Sequence, residues 1–157
     1  YVLIETPFQQ FPLGWEQVVF AILSKGYFIL MAHPERCAQL ADRPQLADRL
    51  IESGVHLQVN WDSFLGYHGR SALRMAHNLA ENGYIHCLAT DSHNPQARHA
   101  GHVKLAAAKI EKVIGPDNMQ RIASENPLRI LRNTLPLSMM KPYPKTTVKK
   151  ESRWRFW

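Results

Sequence analysis

Four short apolar runs, at residues 1–5, 27–33, 55–60 and 85–91, each stop on a polar residue able to bind a metal or a proton: Glu5, His33, Asn60 and Asp91. Between the runs, apolar residues recur at the three- and four-residue spacing of a helix face. Trp15, Val18, Val19, Ile22 and Leu23 form one stripe closed by Gly26, and Leu46, Leu50 and Ile51 a second closed by Gly54. Ala72, Leu73, Ala76, Leu79 and Ala80 form a third closed by Gly83, and Val103, Ala106, Ile110, Val113 and Ile114 a fourth. The stop residues follow one another at intervals of about 28, 27 and 31 positions, the length of a strand plus its crossover helix. This pattern predicts an α/β fold with parallel strands. Strands joined by crossovers of one hand all point the same way, which gathers Glu5, His33, Asn60 and Asp91 onto one rim.

The run at 28–32 is apolar throughout, as expected of a strand covered on both faces. Residues 61–69 form a loop rich in aromatics and glycine. Asn126-Pro127 predicts an N-cap and first turn for a short last helix over 128–132. From residue 134 the apolar period fails, and Pro136, Pro142 and Pro144 among scattered lysines predict a flexible basic tail over 134–157 behind one domain at 1–133. The chain opens on Tyr1, in mid-strand, so it reads as the back part of something longer.

Charge narrows the function classes. The net charge is +6, but six cations and one acid in the last 17 residues account for +5 of it. The rest lacks the basic face that nucleic-acid binding requires. No apolar run is long enough to span a membrane, and no secretory pattern opens the chain. Two cysteines, Cys37 and Cys87, make no disulfide framework or zinc motif, which fits a reducing cytoplasm. The aromatic and basic end of the tail, Arg153 to Trp157, could touch an acidic membrane surface, but stable insertion is not expected.

The rim carries the candidate chemistry. Glu5, His33, Asp91 and His93 offer the mixed oxygen and nitrogen donors that suit manganese, iron or zinc better than calcium or magnesium. Two such metals would polarise a phosphoryl group and lower the pKa of bound water. Arg36, three residues after His33, and Arg98, in the loop after His93, are candidate clamps on phosphate oxygens, since a planar guanidinium grips them bidentately. Asn94 either orients a ligand or turns the chain. Cys37 and Arg43 share the Cys-x5-Arg spacing of thiol phosphatases, but the interval holds Asp42 and no glycine, so it lacks the amide cradle that chemistry needs. His56, His68, His77, His86, His99 and His102 have no partner spacing that supports a metal role.

Taken together, LIETPF (3–8), AHPERC (32–37), LQVNWDSFLGYHG (57–69), ATDSHN (89–94) with Arg98, and ENPLRIL (125–131) resemble the PHP superfamily. Within it the match is to the CpsB/CapC family of manganese-dependent tyrosine-protein phosphatases of capsule and exopolysaccharide synthesis. The resemblance implies a distorted (β/α)7 barrel, with this chain as about its last four βα units, and a trinuclear metal site on the C-terminal rim. It implies that Glu5 is a bridging carboxylate, that His33, Asp91 and His93 are later-strand ligands, that Arg36 and Arg98 bind phosphate, and that the metal is Mn2+. The family's first-strand His-x-His and its second- and third-strand ligands have no counterpart here. The implied substrate is a phosphotyrosine protein, a tyrosine autokinase of polysaccharide export. A homo-oligomer, a small-molecule phosphatase such as a histidinol-phosphate hydrolase, and a catalytically dead remnant stay open as alternatives.

Overall fold

The computed structural model describes residues 1–93 and 100–140. Four strands, β1 (Val2–Glu5), β2 (Ile29–Ala32), β3 (Val55–Asn60) and β4 (Ile85–Ala89), form one sheet in the order β1-β2-β3-β4, every pair parallel. Helix α1 (Trp15–Leu23) joins β1 to β2; α2 (Ala38–Asp42) and α3 (Leu46–Glu52) join β2 to β3; α4 (Gly69–Glu81) joins β3 to β4; and α5 (Ala100–Ile114) follows β4. These are the four runs and four helical stripes of the sequence. Strand β2 is buried at every position, because it has a paired strand on each side and apolar layers on both faces. Strand β1, at the edge, alternates half-buried and exposed residues.

The strands are shorter than the apolar runs. Residues 27 and 28 precede β2, and β4 stops at Ala89, two residues before Asp91. Helix α2 and the 3-10 turn Pro34–Arg36 lie in a stretch for which the apolar spacing gives no element. Strand β4 also carries a bulge: Leu57 pairs with Ile85 and Gln58 with Cys87, so His86 is the extra residue. Its ring fills the gap by accepting the Leu57 amide on Nδ1 at 3.0 Å.

One expectation for the C-terminal part is corrected. Asn126 is not an N-cap. A short α6 (Pro116–Gln120) runs through a π-helical turn, Arg121–Glu125, straight into α7 (Asn126–Leu131), and Asn126 has ordinary helical dihedrals. Its side chain turns inward, donating to the His86 and Leu137 carbonyls at 2.8 Å each and accepting the Leu137 amide at 2.7 Å. Residues 134–140 form an extended strap whose backbone is claimed by side chains. Asn118 bonds both backbone groups of Met140, Arg121 reaches the Ser138 carbonyl and Arg129 the Leu135 carbonyl. An asparagine amide mimics one peptide unit, so it can hold an extended segment that has no strand partner. Met139 is buried beneath the strap against Gly83. The rest of the expected tail, 141–157, lies outside the described residues.

Candidate functional site at the carboxyl ends of the strands

Because all four strands point one way, their last residues share an edge. Glu5 and Ala32 are register partners at the ends of β1 and β2, which sets His33 beside Glu5, with Nε2 3.4 Å from Oε1. Asn60 and Ala89 are partners at the ends of β3 and β4, and Asp91 follows two residues on. His33 and Asp91 both adopt left-handed backbone, with φ of 37° and 49°. This conformation costs a non-glycine residue on the order of 1 kcal/mol or more and concentrates at functional sites. Among the described residues the third such non-glycine is Asn133, just past α7, where asparagine is an ordinary helix terminator.

Asp91 is the hub. Its Oδ2 accepts Arg36 Nη1 at 3.2 Å and Asn60 Nδ2 at 3.1 Å, while His93 Nε2 lies 3.2 Å from Oδ1. Arg36 in turn lies under the Phe8 ring, its Cζ 4.5 Å from the ring centroid. A second tier lies directly beneath. Glu35 is buried, and its Oε1 takes the Asn60 amide at 3.1 Å and the Ser63 hydroxyl at 2.6 Å. Burial pushes the Glu35 carboxyl up to about 7, against the Ser63 and Asn60 hydrogen bonds that pull it down. Asn60 thus joins the tiers, its backbone tied to Glu35 and its side chain to Asp91.

The aromatic loop is built onto this base. A 3-10 turn, Trp61–Leu65, buries Trp61, Asp62, Ser63 and Phe64. Ser63 Oγ lies 2.9 Å from His68 Nδ1, Asp62 Oδ1 lies 3.3 Å from His102 Nδ1, and Tyr67 stacks on the His102 ring at 4.6 Å. Nothing in the apolar spacing points to Glu35 or Ser63 as parts of a site. The available signal was a carboxylate inside a turn between an apolar strand and Cys37, where no solvent-facing period explains it.

The four candidate ligands fall into two contacts along one rim, Glu5 with His33 and Asp91 with His93. Among the described residues no three His, Cys, Asp or Glu side chains stand close enough to hold a metal ion. The donor set fits a divalent first-row cation in kind, with imidazoles and carboxylates side by side and a buried His33 Nδ1 that has no hydrogen-bond partner among the described residues. In number it supplies pairs only. Arg98 and Asn94 lie outside the described residues.

A parallel α/β sheet with its polar, strained residues collected at the strands' carboxyl ends defines the class: an α/β protein with a strand-end site. The chain belongs to the family described as Capsular polysaccharide synthesis, CpsB/CapC, whose profile matches residues 1–132. Tyrosine-protein phosphatase YwqE of Bacillus subtilis is 34% identical over 133 residues, covering 85% of this chain and 52% of the relative. CapC of Staphylococcus aureus is 29% identical over 94 residues, covering 60% of this chain and 37% of the relative. A solved structure from work on YwqE and on CpsB from Streptococcus pneumoniae, described as metal-dependent tyrosine phosphatases, superposes with a TM-score of 0.81 at 33% identity, over 92% of this chain and 57% of that one. The chain spans about half the length of YwqE and less of CapC. Among the described residues no helix is long and apolar enough to cross a membrane.

Proposed function

We propose that this chain is the C-terminal share of a metal-dependent phosphotyrosine-protein phosphatase, about four βα units of a PHP-type distorted (β/α)7 barrel. Glu5, His33, Asp91 and His93 are the metal ligands it contributes, Arg36 and Arg98 its phosphate-binding cations, and Mn2+ the metal. The substrate is a phosphotyrosine protein, with a tyrosine autokinase of polysaccharide export as the natural one. The observation that carries the reading is that two left-handed residues, His33 and Asp91, share one rim, with a guanidinium held on Asp91, in a chain of this family. A divalent cation held there would supply Lewis-acid polarisation of a phosphoryl oxygen. Further ligands have to come from outside the described residues.

The chain's own groups do the rest. Asp91 fixes the Arg36 fork, Phe8 fixes its plane, and Arg36 orients phosphoryl oxygens and offsets the charge that builds on them during transfer. Asn60 and Glu35 hold Asp91 and the 61–69 loop in place. The test is Mn2+ binding followed by electron paramagnetic resonance, together with hydrolysis of a phosphotyrosine peptide and of histidinol phosphate. The reading expects Mn2+ binding that His33→Ala and Asp91→Asn each weaken, and a preference for the peptide in any turnover. Mn2+ binding indifferent to both substitutions, or faster cleavage of histidinol phosphate, would count against it.

A further inference from the structure

Phe8 lies three residues beyond Glu5, at the carboxyl end of β1, and belongs to no part of the hydrophobic core. The residue is 53% exposed, so roughly half of the stabilisation available from burying a phenyl group, on the order of 1 kcal/mol, is forgone. Its backbone is nevertheless fixed. The Phe8 and Gln9 carbonyls accept the Ala38 and Gln39 amides at 2.7 and 3.0 Å, and Gln39 Oε1 accepts the Phe11 amide at 2.8 Å. The segment after β1 is therefore anchored to the start of α2 through its backbone and presents a half-open aromatic face. That face covers Arg36, with Cζ 4.5 Å from the ring centroid, and the His33 ring lies 6.1 Å away.

From this placement we infer that Phe8 is the specificity-determining residue that selects aryl over alkyl phosphates, by taking the leaving group's ring against its own. The inference rests on the phosphatase reading above. A phosphoryl group on the donor edge of Arg36 puts its ester substituent beside the ring that shelves the guanidinium. An aromatic substituent gains a directional ring–ring contact there beyond the area it buries, whereas a saturated ring of the same size gains only the area. Tyr67, also exposed, stands apart from this role, since it stacks on His102 rather than on a phosphate-binding cation.

The test compares phenyl phosphate, cyclohexyl phosphate and inorganic phosphate, which share one head group, by calorimetric titration against the whole chain. Wild type is expected to prefer phenyl over cyclohexyl phosphate roughly two- to tenfold. Phe8→Leu, which keeps apolar bulk and loses the π face, brings that ratio to about one, and Phe8→Trp keeps it. A ratio unchanged in Phe8→Leu overturns the inference and leaves the phosphate site standing. Affinities for all three ligands that Arg36→Gln does not alter, or no binding at all, overturn the phosphate-site reading and this inference with it.

Discussion

His86 makes the stability of the sheet depend on pH in a direction that can be worked out. It is the extra residue of the β4 bulge, its Nδ1 accepts the Leu57 amide, and its ring meets that of His56 at 4.7 Å, nearly perpendicular. Burial, reinforced by the neighbouring His56, holds the imidazole down at about 4. Protonation would also convert the acceptor of the Leu57 amide into a donor. A folded value below the unfolded one means that the unfolded chain binds the proton more tightly, so the contribution to stability is complete above about 6.5 and is lost as pH falls toward 4. The loss is about 2 kcal/mol by pH 5 and about 3 kcal/mol by pH 4. Glu35 runs the opposite way: its value is raised to about 7, so its contribution is present at low pH and is lost as pH rises from about 4.5 through 7. The two slopes partly cancel in the wild type, and the informative quantity is the difference between wild type and His86→Asn. Asparagine Oδ1 occupies the position of Nδ1 and keeps the bond to Leu57 without titrating. Urea unfolding from pH 7.5 to pH 4 should show the variant less stable at the upper end, through lost ring packing, and gaining about 3 kcal/mol on wild type across the range. Parallel pH profiles for the two proteins would refute the reasoning.

Glu35→Gln isolates the opposing group: its stability relative to wild type should improve by about 3 kcal/mol as pH rises from 4.5 to 8, and a pH-independent difference would contradict the placement of the raised carboxyl. Asn126→Ala removes three part-buried hydrogen bonds and should cost about 3 kcal/mol, with amide exchange accelerated at Leu137; a Leu137 amide that keeps wild-type protection would contradict the role given to Asn126. Cys37 is fully buried, and burial pushes the Cys87 thiol up to about 12, so a thiol reagent should modify both only as fast as the chain unfolds. Rapid labelling of either in native buffer would contradict the packing around it.

Much of the fold was legible because it rests on periodicity. Uniformly apolar Ile29–Ala32 fits a covered strand, and the stripes from Trp15, Leu46, Ala72 and Val103 each marked a helix. The failures have a common cause, which is that polar side chains stood in for backbone partners. Asn126 looked like a cap because asparagine before proline usually is one, yet tertiary demand for an amide between β4 and the strap outweighed local propensity. Pro136 and the lysines beyond it look alike by composition, and nothing local distinguishes the segment whose carbonyls Asn118, Arg121 and Arg129 claim.

The rim was visible as a set of stop residues, but its organisation was not, because organisation depends on which carboxylate each donor chooses. Arg36 could have paired with its neighbour Glu35 and instead crosses to Asp91, 55 residues away. The reason is burial: Glu35 lies beneath the rim, where it meets the Asn60 amide and the Ser63 hydroxyl, and a guanidinium there would lose more hydration than one carboxylate could return. Asp91, less deeply buried, leaves Arg36 at the rim with Phe8 over its face. The division of labour follows from depth alone. The submerged carboxyl braces the loop, while the outer one holds the Arg36 guanidinium at the rim. Substituting Asp91 should therefore release Arg36 without disturbing Ser63 or His68, whereas substituting Glu35 should loosen the 61–69 loop first.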